Sequence, residues 1–304
     1  MQMYDSSDPR SRMAAAAKAP SISGHYTPAE YGLYYEEDPQ ETAADTRTWM
    51  SRGQNFLVAY SEAEPGAVLE RKGQIDEYVL LLPDKGKGAV IDAPEGRTVA
   101  EGFSLVILPP GDTRIALPDG GRIARIFSTR SPDLVARCSN AASFAAEHPR
   151  IPPFEPWPEP PAGYRVRAYS LDIPKEPGRF GRIFRCTTLM VNYLDPQQGP
   201  RDVTKLSPHH HDDFEQGSLA LDGAFTHHLR WPWTTDMTAW REDEHAYCKS
   251  PSLAVIPPPA IHTSRGMEEG LNQLVDIFSP PRADFSKQPG WVLNADAYPM
   301  PPEA

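Results

Sequence analysis

The sequence predicts an all-β protein built from two related halves, and three observations carry that reading. Short apolar runs, among them Tyr78-Val-Leu-Leu-Leu82, Phe103-Ser-Leu-Val-Ile-Leu108 and Leu253-Ala-Val-Ile256, are bounded by Gly, Pro or Asp and have strand length. Proline accounts for 34 of 304 residues, yet 39% of the chain is hydrophobic. That is roughly double the 5% proline of average proteins, so the chain is globular and rich in turns. A weak duplication is the third sign: Phe56-Leu-Val-Ala-Tyr60 matches Leu189-Met-Val-Asn-Tyr193, and Arg125-Ile-Phe-Ser-Thr-Arg130 matches Asp276-Ile-Phe-Ser-Pro-Pro281.

Taken in order, residues 1–22 show no apolar periodicity and predict a flexible arm. Residues 23–140 hold the first set of strand runs and form the first domain. Residues 141–164 contain Ile151-Pro-Pro-Phe-Glu-Pro-Trp-Pro-Glu-Pro-Pro161, a stiff, extended Pro-rich linker. Residues 165–304 form the second domain, and a chain of this length gives each half enough residues to bury a core.

Composition excludes several function classes. A net charge of -11 argues against a nucleic-acid partner, which needs a clustered basic surface, and against anionic membranes. No segment approaches the ~20 apolar residues of a membrane span, and the Ala14–Ala17 run is too short for a signal-peptide core, so a cytoplasmic location is expected. Cys138, Cys186 and Cys248 are odd in number and form no CxxC pair, which predicts buried thiols.

The densest chemistry lies in Pro208-His-His-His-Asp-Asp-Phe-Glu-Gln-Gly217. Residues an even number apart share a face of a strand, so His209, His211 and Glu215 converge if the strand is continuous, while His210 points away. His262, reached after the Pro257-Pro-Pro259 turn, can complete the set from a facing strand. Three neutral nitrogens and one hard oxygen suit one divalent ion, and Fe, Mn, Ni, Cu and Zn all accept such ligands.

These residues resemble the cupin family, whose first motif runs HxH, three or four residues, E, about six residues and G, and whose second runs PxG, two residues, H. His209-x-His211-x3-Glu215 matches the first, with Gly223 one residue later than usual; Pro257-x-Pro259-x2-His262 matches the second, with Pro259 in place of glycine. The tail Val275-Asp-Ile-Phe-Ser-Pro-Pro-Arg-Ala-Asp-Phe285 also looks like the closing strand of small acid- and sugar-processing cupins. The resemblance implies a bicupin: two tandem antiparallel β-barrels of the jelly-roll, or double-stranded β-helix, kind.

Aligned on Glu77, the histidine positions of the first half become Arg71 and Gly73, and Pro109-x-Gly111-x2 leads to Arg114. Arginine stays protonated and has no lone pair to give, so the first barrel is expected to hold no metal. It serves either as a structural partner or, through Arg71, Arg114 and Glu77, as an anion pocket. The second half carries about ten extra residues between motifs, including Leu229-Arg-Trp-Pro-Trp-Thr-Thr-Asp-Met-Thr-Ala-Trp240. Trp231, Trp233 and Trp240 either rim a pocket or pack against the other barrel or a second subunit; Arg230 is a candidate carboxylate clamp, and His228, on one face with Thr226 and opposite His227 so that only one of the two histidines looks inward, a candidate acid or base.

Four protein ligands at an octahedral ion leave two positions open for a chelating substrate, or for substrate and dioxygen. The sequence reading favours an Fe(II) dioxygenase acting on a small carboxylate-bearing substrate. Its alternatives are an isomerase, lyase or decarboxylase of a sugar acid or keto acid using a Lewis-acid metal, and a non-catalytic sugar- or effector-binding cupin. Exposed sheet edges and the aromatic insert predict a homodimer, and light scattering at micromolar concentration should return twice the chain mass; a monomer counts against it.

Overall fold

The structure, a computed structural model, describes residues 9–12 and 26–302. The arm expected over 1–22 lies outside these residues except for Pro9–Arg12, a short 3-10 turn. Strands dominate, and the described α-helices are the four-residue Pro132–Val135 and Ala283–Ser286.

The first barrel has a large sheet ordered Arg167–Ser170, Ser104–Leu108, Tyr78–Leu82, Gly121–Ser128, Phe56–Ala63, Thr46–Arg52, Glu41–Thr42. It closes on a four-stranded sheet of Ala67–Gln74, Gly111–Leu117, Ala89–Ala93 and Gly96–Ala100. The second repeats the plan: Glu30–Gly32, Ser252–Ile256, Gln216–Asp222, Leu271–Phe278, Met190–Tyr193 and Arg182–Arg185 form the large sheet, and Glu244–Lys249, Ala224–Arg230 and Ile261–Gly266 the small one. The two duplicated segments read from sequence are neighbouring strands in each half, Phe56–Ala63 beside Gly121–Ser128 and Met190–Tyr193 beside Leu271–Phe278.

The halves trade their outermost strands. Glu30–Gly32, early in the chain, pairs antiparallel with Ser252–Ile256 of the second barrel, and Arg167–Ser170, beyond the linker, pairs with Ser104–Leu108 of the first. The linker between them is anchored too, since Trp157 is buried and its N–H donates to the Thr187 carbonyl at 2.7 Å.

Alternation along the strands sorts the side chains. On the outer faces of the two large sheets, Phe56, Val58, Tyr60, Ala124 and Ile126 from one barrel meet Val191, Leu219, Leu221, Val275 and Ile277 from the other in one shared core. The inner faces differ. The first lumen is filled by Leu57, Leu80, Leu82, Val106, Leu108, Ile115 and Phe127. The second carries Gln216, Ser218, Asn272 and Asp276 at inward positions. Of the two readings of the first barrel, the anion pocket of Arg71, Arg114 and Glu77 does not form. Arg71 is held by Asp133 and by Gln74, Arg114 lies half-exposed 3.7 Å from Asp92, and Glu77 faces the other barrel.

Glu77 and Glu215 occupy equivalent places in the two halves and do equivalent work. Glu77 is fully buried; its carboxylate accepts from the Thr187 N–H at 3.0 Å, the Thr187 hydroxyl at 2.8 Å and the Tyr298 hydroxyl at 2.7 Å. Glu215 accepts from the Asn55 N–H at 3.0 Å and from the Gln54 N–H, both in the first barrel. A Cβ at Gly53 would fall 2.4 Å from the Glu215 carboxylate oxygen, so only glycine permits that approach. Removing Glu77 leaves three donors buried without an acceptor, and Glu77→Ala is expected to cost about 2–4 kcal/mol, with Glu77→Gln costing roughly half. Denaturant titration checks this, and a Glu77→Ala midpoint equal to wild type refutes the strut.

Candidate metal centre

His209, His211 and His262 come together as the sequence spacing requires. One ring nitrogen from each lies within 4.8 Å of the others, all three side chains are buried, and the ring centroids are 4.3 to 5.1 Å apart. Two backbone bonds pin the pair that spans the turn: His209 N–H donates to the His262 carbonyl at 3.0 Å, and His262 N–H to the His209 carbonyl at 2.7 Å.

The tautomers follow from the acceptors. His209 Nδ1 lies 3.0 Å from the Ser207 carbonyl and His262 Nδ1 2.9 Å from the Ala260 carbonyl; a carbonyl only accepts, so each Nδ1 carries the proton and each Nε2 the lone pair. His262 Nε2 is buried without a hydrogen-bond partner. Burial disfavours the charged imidazolium: it lowers His209 and His211 well below the usual histidine range and His262 to about 4. Phe214 stacks on the His211 ring at 4.3 Å.

Glu215 does not join the histidines. The chain bends at Asp212–Asp213 instead of running on as a strand, and the Gln216–Asp222 strand begins one residue later. The bend shifts the alternation by one, turning Glu215 to the other barrel and Gln216 into the lumen. Gln216 Oε1 lies 3.1 Å from His211 Nε2, while its amide N–H groups donate to Ser218 Oγ at 3.0 Å and Asp276 Oδ1 at 3.1 Å, which fixes the amide with its oxygen toward the histidines. Two ligands at right angles on bonds of ~2.1 Å sit roughly 3.0 Å apart, so His211 and Gln216 have the separation of neighbouring ligands. The signal was in the sequence. Counted from Gln216, four residues follow His211 and six precede Gly223, the usual motif spacing.

The other candidates lie elsewhere. His227, not His228, faces inward; it is buried, its Nδ1 is 2.8 Å from Ser264 Oγ, and burial pushes it down to about 3. His228 is on the outer face, Nδ1 to Nδ1 with His245 at 2.8 Å. Arg230, also outward, is mostly exposed and bonded to Asp243 at 2.9 Å. None of Trp231, Trp233 and Trp240 lines the cavity. Trp231 packs in a small core with Leu229, Ile256 and Ala260, and Trp233 stacks on Trp240 at 4.6 Å on the surface. His210 turns toward Asp212, and the three cysteines are buried and unpaired.

The site opens into a cavity of about 370 Å³ lined by His209, Gln216, His262, Ser264 and Asp276. Its mouth is rich in cations, namely Arg10, Lys175, Arg179, Arg201 and Lys205, in a chain of net charge -11. No helix among the described residues is long and apolar enough to cross a membrane.

In overall architecture the chain is similar to oxalate decarboxylase from Lactobacillus farciminis, solved as its formate complex, with a TM-score of 0.55 and 12% identity over 87% of this chain and 88% of that one. It is similar to a second oxalate decarboxylase structure with a TM-score of 0.53 and 13% identity, over 85% of this chain and 78% of that one. Vicilin from hazelnut, Corylus avellana, matches with a TM-score of 0.55 and 11% identity over 82% of this chain and 84% of that one. The chain is a two-domain protein of the cupin fold. No protein-family model matches the sequence and no curated relative does.

The bend at Asp212–Asp213 yields a direct contrast. Metal affinity is expected to fall at least about tenfold in Gln216→Ala and His262→Ala and to stay at the wild-type value in Glu215→Gln, His228→Ala and Arg230→Ala. Equilibrium dialysis with elemental analysis reads this, and loss of metal in Glu215→Gln with retention in Gln216→Ala would restore Glu215 as the ligand.

Proposed function

We propose that this protein is a metal-dependent bicupin enzyme that acts on a small carboxylic acid, with lyase chemistry, decarboxylation included, ahead of oxygenation. The observation that carries this reading is the neutral donor set at the wall of a cation-rimmed cavity. His209, His211, His262 and Gln216 are the residues we assign to hold the ion, and the partnerless Nε2 of His262 and the fixed Gln216 oxygen are what fit them to it. Mn, Fe, Ni, Cu and Zn all suit such donors.

A bound divalent ion would supply Lewis acidity, drawing electron density from a coordinated carboxylate or carbonyl. Because all four donors are neutral, the ion would keep its full charge, which favours an anionic substrate more than a three-histidine, one-glutamate set would. Around it, the chain's own groups have separate tasks. Asp276 holds the Gln216 amide, and Ser218 shares that carboxylate at 3.2 Å. Ser264, on the cavity wall and bonded to His227, is placed to pass a proton between the lumen and the buried imidazole. The fold likeness to two oxalate decarboxylases, one solved with formate, supports the lyase branch over the oxygenase branch.

The test is turnover under strict anaerobiosis. Protein loaded in turn with Mn(II), Fe(II), Ni(II) or Zn(II) is offered a panel of dicarboxylic and 2-oxo acids, and carbon dioxide and product are followed by NMR. Turnover without oxygen is expected, with His262→Ala inactive but folded. Turnover that requires oxygen in proportion to substrate would reject the lyase assignment for the oxygenase one, and binding of metal and acid without any turnover would leave a binding protein.

A further inference from the structure

We propose that His228 and His245 form a second metal site, a two-histidine chelate for Cu(II), Ni(II) or Zn(II) on the outer face of the second barrel, at the base of the aromatic insert. It is separate from the buried centre and does not depend on it.

The two residues stand directly opposite each other on Ala224–Arg230 and Glu244–Lys249, the strands that the insert over residues 231–243 connects. Their ring centroids lie 4.9 Å apart, and the two Nδ1 atoms face each other across 2.8 Å. Two ligands at right angles on bonds of ~2.1 Å stand roughly 3.0 Å apart, so the pair already has the bite of a chelate. Only one proton fits between two such nitrogens. Passing it to the Nε2 of the same ring frees both lone pairs, and the two imidazoles stay neutral. Partial burial, His245 and Arg265 all hold His228 below the usual histidine range, which favours that neutral state near pH 7.

The surroundings define the ion. Imidazole nitrogens with no carboxylate beside them in the pair suit Cu(II), Ni(II) and Zn(II) and offer little to Mn(II). Arg230 is paired with Asp243 at 2.9 Å, while Arg265 remains a cation that opposes the ion and sets the site below the buried centre in affinity. His245 is exposed, so water completes the coordination. An ion held there ties together the two strands from which the insert springs, next to the Arg230–Asp243 pair that already joins them.

Equilibrium dialysis and calorimetry of the untagged, full-length protein against Cu(II), Ni(II), Zn(II) and Mn(II) test this in the wild type, His228→Ala, His245→Ala and His262→Ala. Cu(II) is expected to bind tightest and Mn(II) not at all at this site. One equivalent of Cu(II) or Ni(II) should survive in His262→Ala and weaken at least about tenfold in both His228→Ala and His245→Ala, with His245→Gln repeating the loss while keeping the cross-strand packing. The equivalent at the buried centre, the one lost in His262→Ala, stays unchanged in the surface variants. Equal metal uptake in the wild type and both surface variants overturns the proposal, as does binding that vanishes altogether in His262→Ala. Loss in one surface variant alone overturns it too, since a single exposed histidine is no chelate.

Discussion

Two buried glutamates, each accepting hydrogen bonds from donors of the other half, set the frame on which the rest depends. A carboxylate taken from water without partners is costly, and each of these is stabilised only when the opposite half is in place. The price in desolvation is high enough to raise the affinity of both groups for protons, Glu215 to about 7. Such an interaction is unforgiving of register. It holds the two large sheets at one relative position, and the shared core of Val58, Ile126, Leu219 and Ile277 closes around it.

That frame also explains how one fold can yield one polar and one apolar lumen. With the outer faces committed to the shared core, only inward positions are free to differ. In the first barrel they are Leu80, Leu82, Ile115 and Phe127; in the second they are Gln216, Ser218, Asn272 and Asp276. The first fills itself and becomes scaffold, whereas the second leaves a cavity with donors on its wall. Burial then keeps the histidines unprotonated near neutral pH, which is the state in which an imidazole offers a lone pair.

Much of this was legible in the sequence, because strand runs, duplication and a His-x-His pair are local patterns. The paired strands around 56–60, 125–130, 189–193 and 276–281 fell where the repeat put them. What failed was parity. An assumed continuous strand from 209 to 215 hid the bend at Asp212–Asp213, and with it the inward turn of Gln216; the late Gly223 was the clue. The inward side of Ala224–Arg230 was likewise marked by Phe225 and Leu229, which share a face with His227 and not with His228. Glu77 and Glu215 were matched as equivalents, but their partners lie more than a hundred residues away, beyond any local pattern.

The exchanged edge strands carry a consequence for how this molecule can be taken apart. Glu30–Gly32, on the first half's side of the linker, completes the sheet of the second, and Arg167–Ser170, on the second half's side, completes the sheet of the first. A scission anywhere in the proline-rich linker strands each ribbon with the wrong fragment, leaving both pieces with an open, adhesive border. Modular shuffling of either half, in a laboratory or in a genome, would have to move the pair together or supply a substitute strand in trans. The duplication is thus visible in the sequence, yet it is no longer divisible in the fold.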